Sequence, residues 1–372
     1  MHVSPRELVP LAPLTTLGVG GQARFFVDAS EEASVVGALR WARERGLATR
    51  VLGGGSNVVA GDDGFDGLVL RLGMRGRRFT TAGNDVLLQA QAGEPWDELV
   101  AETVTRGAQG LECLSGIPGL VGATPIQNVG AYGQEVAETI VSVRALDRET
   151  LETREFAAAA CHFAYRDSWF KSEVPERFVV LAVTFRLSAG APGAVRYAEL
   201  EQRLRSDGIA PEAAPLGRVR ETVLALRRAK SMLLDPSDEN GRSCGSFFVN
   251  PSVSRERADA IAALVKDAKM PRFMQPDGRV KLAAGWLIER SGFAKGTRRG
   301  SVGLSTKHAL ALVAHEGATA SAVLDFAHEI QSAVHARFGV ELVLEPVVWG
   351  GQSGRAAAGS ATAGSAPPAT LP

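Results

Sequence analysis

Four groups of residues in this chain have types and spacing suited to chemistry, and they lie far apart in sequence. The run Arg242-Ser243-Cys244-Gly245-Ser246-Phe247-Phe248-Val249-Asn250-Pro251 sets a hydroxyl after a glycine and in front of two aromatics. Such a hydroxyl can deliver a proton to a carbanion when its surroundings are preorganised. A hydrolytic serine would need a GxSxG elbow or a histidine spaced for a triad, and neither is present. Glu345 stands among Leu342, Val343, Leu344, Val347 and Val348. An unpaired carboxylate in an apolar strand is costly, so Glu345 either faces solvent at alternate spacing or has a task. Arg166 lies in Tyr165-Arg166-Asp167-Ser168, where a guanidinium can fork onto a carboxylate. Gly53-Gly54-Gly55-Ser56-Asn57 offers successive backbone N–H groups clear of side chains, a nest suited to a pyrophosphate.

Each group also has a plainer reading. A glycine run is often only a tight turn, and Tyr165–Ser168 can be a turn with a surface ion pair. Ser246 can be a turn or cap serine, with Phe247 and Phe248 in the core. Lys230 follows Arg227 and Arg228 at a helix end, where the dipole favours cations. A second stretch shifts the balance. Gly116-Ile117-Pro118-Gly119 and its continuation through Gly122, Ala123, Gln127, Asn128, Gly130 and Tyr132 to Gly133 is too rich in Gly and Pro for an ordinary helix or strand. It is also long for a structureless loop, which argues for function. A dinucleotide needs such extended close backbone contact. Neither run is a GxGxxG or a Walker A pattern.

The elements that must position these groups begin with a strand over Ala23–Asp28. A helix follows from about Glu31 to Arg45, capped by Ser30 and stopped by Gly46. A strand at Thr49–Leu52 runs directly into the first glycine loop, and another covers Leu68–Leu72. Strands are predicted at 85–92, 141–147, 178–187 and 310–313. Pro95 opens a helix to about Arg106. Further helices fall at about 221–230, 255–265 and 283–290. Thr319–Phe338 is strongly amphipathic, with Val323, Ala327, Ile330, Val334 and Phe338 on one face. Val340–Val348 reads as a closing strand. Residues 353–372 are Ala, Gly, Ser, Thr and Pro with one Arg and one Leu, a composition that predicts disorder.

At 372 residues the chain has room for two or three domains. Its 41 basic and 41 acidic residues cancel, so no overall field draws it to nucleic acid or an anionic membrane. Three cysteines, Cys113, Cys161 and Cys244, cannot all pair and have no metal-ligand spacing. No metal site is expected. With no spanning apolar run and no signal peptide, a cytoplasmic protein is expected; a monomer is the expectation for assembly.

Taken together, the motifs resemble those of the UDP-N-acetylenolpyruvoylglucosamine reductase family. The resemblance spans about Leu14 to Gly350. It rests on Thr15-Thr16-Leu17-Gly18-Val19-Gly20-Gly21, Gly53–Asn57, Ile117 through Gly133, Tyr165–Ser168, Gly245–Pro251, Val280–Glu289 and Leu344-Glu345-Pro346. It implies an α+β fold, an FAD-binding fold of the vanillyl-alcohol oxidase/PCMH type in two α/β subdomains, with a smaller α/β substrate-binding domain. The expected organisation is residues 1–72 completed by 340–352, then 73–228, then 229–339, then the tail.

The resemblance further implies non-covalent FAD, reduced by NADPH. The catalytic arginine, proton-donating serine and catalytic glutamate fall on Arg166, Ser246 and Glu345. Cofactor contacts fall on the two glycine stretches, and substrate contacts on Tyr165, Tyr197, Lys230, Asn250 and Lys281. Tyr197 resembles the tyrosine of the subclass whose loop closes over substrate. The chain departs from the pattern in a longer Lys230–Ser246 segment, in Thr15-Thr16 for Asn-Thr, and in His308 for a nucleotide-contacting glutamine. Two other readings compete. An FAD oxidase of the same fold often tethers flavin through His or Cys, absent from both glycine stretches. A non-catalytic nucleotide-binding regulator would have no need of Arg166, Ser246 and Glu345.

Overall fold

The computed structural model describes residues 3–265 and 270–350. The tail expected to be disordered lies outside the described residues. The first sheet holds four strands in the order Arg6–Pro10, Gln22–Ala29, Phe65–Leu72, Thr49–Leu52. Its last three strands are parallel, which requires a crossover, and the helix Glu32–Arg43 supplies it. Val35, Ala38, Leu39 and Ala42 of that helix pack on Leu68 and Leu70. The helix starts one residue later than its sequence suggests. Glu31 takes the cap position without a side-chain bond, which leaves Ser30 outside capping reach.

A second, antiparallel sheet runs Thr153–Ala157, Ile140–Asp147, Phe178–Ala189, Asp85–Gln91, Arg77–Ala82, with Ala108–Gln109 paired to one end of Phe178–Ala189. Arg77–Ala82 is a strand with almost no buried residue, so no apolar alternation marked it. One face of this sheet carries the helix Trp96–Thr105 and an aromatic group of Phe156, Trp169, Phe170 and Phe178. Leu146, Val179 and Leu181 on the other face join the core of the first sheet.

The helix Leu216–Ala229 leads into the third region. It begins five residues before the predicted start because Leu216 and Val219 are also buried. Beyond it the helices Arg255–Val265, Ala284–Arg290 and Ala320–Phe338 enclose a core with Phe247, Phe248, Leu287, Ile288 and Ile330. All five residues of the predicted apolar face of the long helix are buried. Thr319 caps it by accepting from the Ala322 amide at 3.1 Å. Asp62, from the first region, accepts from the Ala320 and Ser321 amides at 2.6 and 2.9 Å. A carboxylate at a helix N-terminus is favoured by the dipole, and here it ties two regions together. No described helix is long and apolar enough to cross a membrane.

The predicted closing strand is not continuous. Leu344 makes an isolated antiparallel bridge to Phe248, and the strand proper is Val347–Trp349, parallel to Val58–Ala60. Pro346 has no N–H to donate to a ladder. The chain therefore changes partners at Glu345–Pro346, passing from the third region to the first.

Candidate active site

The two glycine stretches meet. A Cβ on Gly54 would lie 2.7 Å from the Gly119 Cα, so the loops touch backbone to backbone. Ser56 Oγ donates to the Pro118 carbonyl at 3.0 Å and fastens that contact. Gly55 has φ +63°, and a Cβ there would lie 2.0 Å from the Leu14 carbonyl oxygen. The backbone amides of Gly53–Asn57 donate to no acceptor among the described residues. The Thr16 hydroxyl beside them is buried and has no partner among the described residues, while the Thr16 amide donates to the Gly55 carbonyl at 3.0 Å. Free amides, an orphaned hydroxyl and no side chain in the way fit a dinucleotide diphosphate.

Other members of the predicted cofactor set bond to the protein itself. The Gly116 amide donates to Asp97 Oδ1 at 2.5 Å. The Gly122 and Ala123 amides donate to the Ala92 and Leu120 carbonyls. Ile117 packs on the core of the second sheet. Asn128 is buried, in a left-handed conformation at φ +43°. Its side-chain amide donates to Glu135 Oε2 and the Ala164 carbonyl, each at 2.8 Å, and its oxygen accepts from the Ala137 amide.

Arg166 occupies the third position of a turn closed by mutual backbone bonds between Ala164 and Asp167. Its φ of +56° belongs to the region that favours glycine. Holding a non-glycine residue there costs about 1–2 kcal/mol. The surface ion pair of the plainer reading is not formed among the described residues. Asp167 accepts from the Ser168 amide and the Ser172 hydroxyl instead. The Arg166 guanidinium reaches Glu345 Oε1 at 3.1 Å and donates to the Gly130 carbonyl at 2.6 Å. Glu345 is thus neither solvent-facing nor unpaired; its side chain is only 16% exposed. Gln127 Nε2 donates to the same oxygen at 3.3 Å.

Ser246 arrives by backbone pairing. The Glu345 amide donates to the Phe247 carbonyl at 3.0 Å, and the Val249 amide to the Val343 carbonyl at 2.9 Å. This sets Ser246 one residue from the partner of Glu345. Its side chain is half-buried and has no hydrogen-bond partner among the described residues.

The predicted substrate residues form two groups flanking the Gly130–Gly133 turn. In one, Asn250 Nδ2 donates to the Tyr165 hydroxyl at 3.3 Å and Lys281 Nζ lies 4.3 Å from the Tyr165 ring centroid. Burial lowers the Lys281 pKa, with Arg166 adding to the effect and Glu135 opposing it. In the other, the Tyr132 and Tyr197 rings meet edge to face at 5.3 Å, and Lys230 pairs with Glu199 beside Tyr132. Burial pushes the Tyr132 phenol up to about 12. His308 Nδ1 accepts from the Leu310 amide at 3.1 Å. Burial first, then Lys230, Lys295 and Arg227, lower its pKa to about 4, so the ring is neutral with its proton on Nε2.

Reading by motif missed three residues that support this region. Glu199 sits two residues after Tyr197 and gave no signal beyond an acidic helix start. Asp97 accepts from both the Gly116 amide and Arg220. Lys171 bonds to Gln127 and to the Arg166 carbonyl; its signal was a lone cation following Trp169-Phe170.

An open glycine cradle joined to a charged cluster defines an FAD-binding protein of α+β architecture, and a family model described as an FAD binding domain matches residues 23–152. A model of the UDP-N-acetylenolpyruvoylglucosamine reductase C-terminal domain matches residues 235–349. The UDP-N-acetylenolpyruvoylglucosamine reductase of Streptomyces avermitilis is 46% identical over 358 residues, 94% of this chain and 96% of that protein. The Saccharopolyspora erythraea protein of that name is 48% identical over 93% of this chain and 96% of its own length. The Pseudomonas aeruginosa protein is 45% identical over 93% and 99%. A crystal structure of the reductase from Thermus caldophilus superposes with a TM-score of 0.63 at 25% identity, over 93% of this chain and all of that one. The chain belongs to the UDP-N-acetylenolpyruvoylglucosamine reductase family.

Proposed function

We propose that this chain reduces the enolpyruvyl ether of UDP-N-acetylglucosamine to UDP-N-acetylmuramate at the expense of NADPH, a step of peptidoglycan precursor synthesis. FAD held in the glycine cradle would supply a two-electron store for carrying hydride from NADPH to C3 of the enolpyruvyl group. The Gly53–Asn57 amides and the Thr16 hydroxyl would hold its diphosphate.

Hydride arriving at C3 leaves negative charge on C2 and the adjoining carboxylate. Arg166 lies beside that charge, and preorganised charge of this kind is often the largest catalytic contribution. Glu345 holds Arg166 in place and completes the polar wall. Ser246 gives its proton to C2. Its hydroxyl has no partner among the described residues, so no bond within them has to break. Lys230, Tyr197, Asn250 and Lys281, with Tyr165, hold the diphosphate and sugar, and remote binding of that sort fixes the reacting carbon.

One observation carries this reading. The Arg166–Glu345 ion pair and the Phe247–Glu345 backbone bond draw three distant motifs to one place. The test is the visible absorbance of purified, flavin-loaded protein kept anaerobic. NADPH should bleach it, and the enolpyruvyl ether of UDP-N-acetylglucosamine should restore it. Bleaching without recovery would assign the chain a different electron acceptor.

A further inference from the structure

Lys171 lies on the one-turn helix Trp169–Ser172, five residues after Arg166. Its ammonium donates to Gln127 Oε1 at 3.0 Å and to the Arg166 carbonyl at 2.7 Å. Each partner leads to Glu345. Gln127 turns its Nε2 onto Glu345 Oε1, and Arg166 places its Nε on that same oxygen. An amide has one oxygen and one nitrogen end. An ammonium on the oxygen end therefore decides that the nitrogen end faces the carboxylate. The carbonyl held by Lys171 belongs to the residue strained at φ +56°. The ammonium is charged in a costly place: burial lowers its pKa, Arg166 adds to that, and Asp167 and Glu345 oppose it. A surface lysine would face none of this.

We infer that Lys171 is a positioning residue that fixes the Glu345 carboxylate and the Arg166 guanidinium, one through the Gln127 side chain and the other through the Arg166 backbone. This inference rests on the reductase reading for its kinetic consequence, though its geometry does not depend on it. Without the ammonium, Gln127 is free to flip and present its oxygen to Glu345, and the turn at Arg166 loses its brace. A displacement of about 1 Å near reacting atoms can cost about 100-fold in rate.

The test uses flavin-loaded, full-length Lys171→Met, Gln127→Leu and the double variant. In Lys171→Met, bleaching by NADPH should stay within about twofold of the wild type. Recovery with the enolpyruvyl sugar should slow about 10- to 100-fold. Because part of the effect passes through Gln127, the double variant should fall short of the product of the two single losses. Multiplicative losses, or equal losses in both half-reactions, would overturn the inference. A second readout needs no substrate. The Gln127 side-chain amide resonance, assigned by its absence in Gln127→Leu, should shift and exchange faster in Lys171→Met. An unchanged resonance overturns the relay even if the wild type reduces some other acceptor, so the two readings fail separately. Should Lys171→Met not fold, Gln127→Leu decides alone: recovery slowed less than about twofold overturns the relay.

Discussion

Asn57 Nδ2 donates to the backbone carbonyl of Glu345 at 3.2 Å, across 288 positions of sequence. The return bond runs from the Val347 amide to the Asn57 carbonyl at 2.9 Å. The last residue of the glycine loop thus brackets the turn that carries the site's carboxylate. Anything that shifts this loop shifts Glu345 with it.

Asn57→Ala removes one of those two bonds. A net hydrogen bond is worth about 1 kcal/mol, so unfolding free energy should fall by about that much. Recovery of flavin colour with the enolpyruvyl substrate should slow about fivefold. Stopped-flow absorbance and urea denaturation measure the two. Wild-type values for both would mean that Glu345 is held without Asn57.

Neighbouring glycines should behave differently. A Cβ at Gly53 meets only the Ala123 Cβ, at 3.8 Å, whereas one at Gly54 runs into the Gly119 backbone. Gly53→Ala should leave the thermal stability of the flavin-free protein near wild type and weaken flavin binding. Gly54→Ala should lower both, because the loops must part. Equal melting temperatures for the two flavin-free variants would mean the loops separate at no cost.

Ser246→Ala should keep the NADPH half-reaction and slow the enolpyruvyl half-reaction by about 10²–10⁴, the usual contribution of one placed acid. Rapid-mixing measurements of each half-reaction separate the two. Equal losses in both would remove the proton-donor role from Ser246.

His308 predicts a pH dependence of stability. In the folded chain its pKa is about 4, against an ordinary 6.5. Between these values the unfolded chain binds a proton that the folded chain does not. Stability contributed by the neutral ring is therefore complete above about pH 6.5 and is lost as pH falls toward 4. A shift of this size corresponds to roughly 3 kcal/mol. Asp62, Asp97 and Asp147 also have lowered pKa values, and their acid losses act in the same direction. They are shared with His308→Asn, whose side-chain oxygen can still accept from the Leu310 amide. The stability difference between wild type and His308→Asn should shrink on acidification from pH 7 to pH 4.5 in urea titrations. A pH-independent difference would show that His308 titrates normally.

Much of the fold was legible because its signals are local. The face of Ala320–Phe338 and the strand running into Gly53 follow from periodicity and short-range hydrogen bonding. Arg77–Ala82 gave no such signal, since a solvent-facing strand need not alternate. The closing strand misled because its apolar residues continue past Glu345 while their partners change from Phe248 to Val58. Residue types alone set out an arginine, a serine and a carboxylate suited to a developing carbanion, and a nest suited to a diphosphate. Sequence cannot say which atoms meet. The bond from Arg166 to Glu345, the orientation of Gln127 by Lys171 and the pairing of Lys230 with Glu199 all depend on where distant loops cross. Those crossings arise from how separate packed cores and sheets sit against one another, and hydrogen bonding acts only over about 3 Å. The sequence by itself determined the chemistry available to this protein; only the tertiary structure decided which groups share a site.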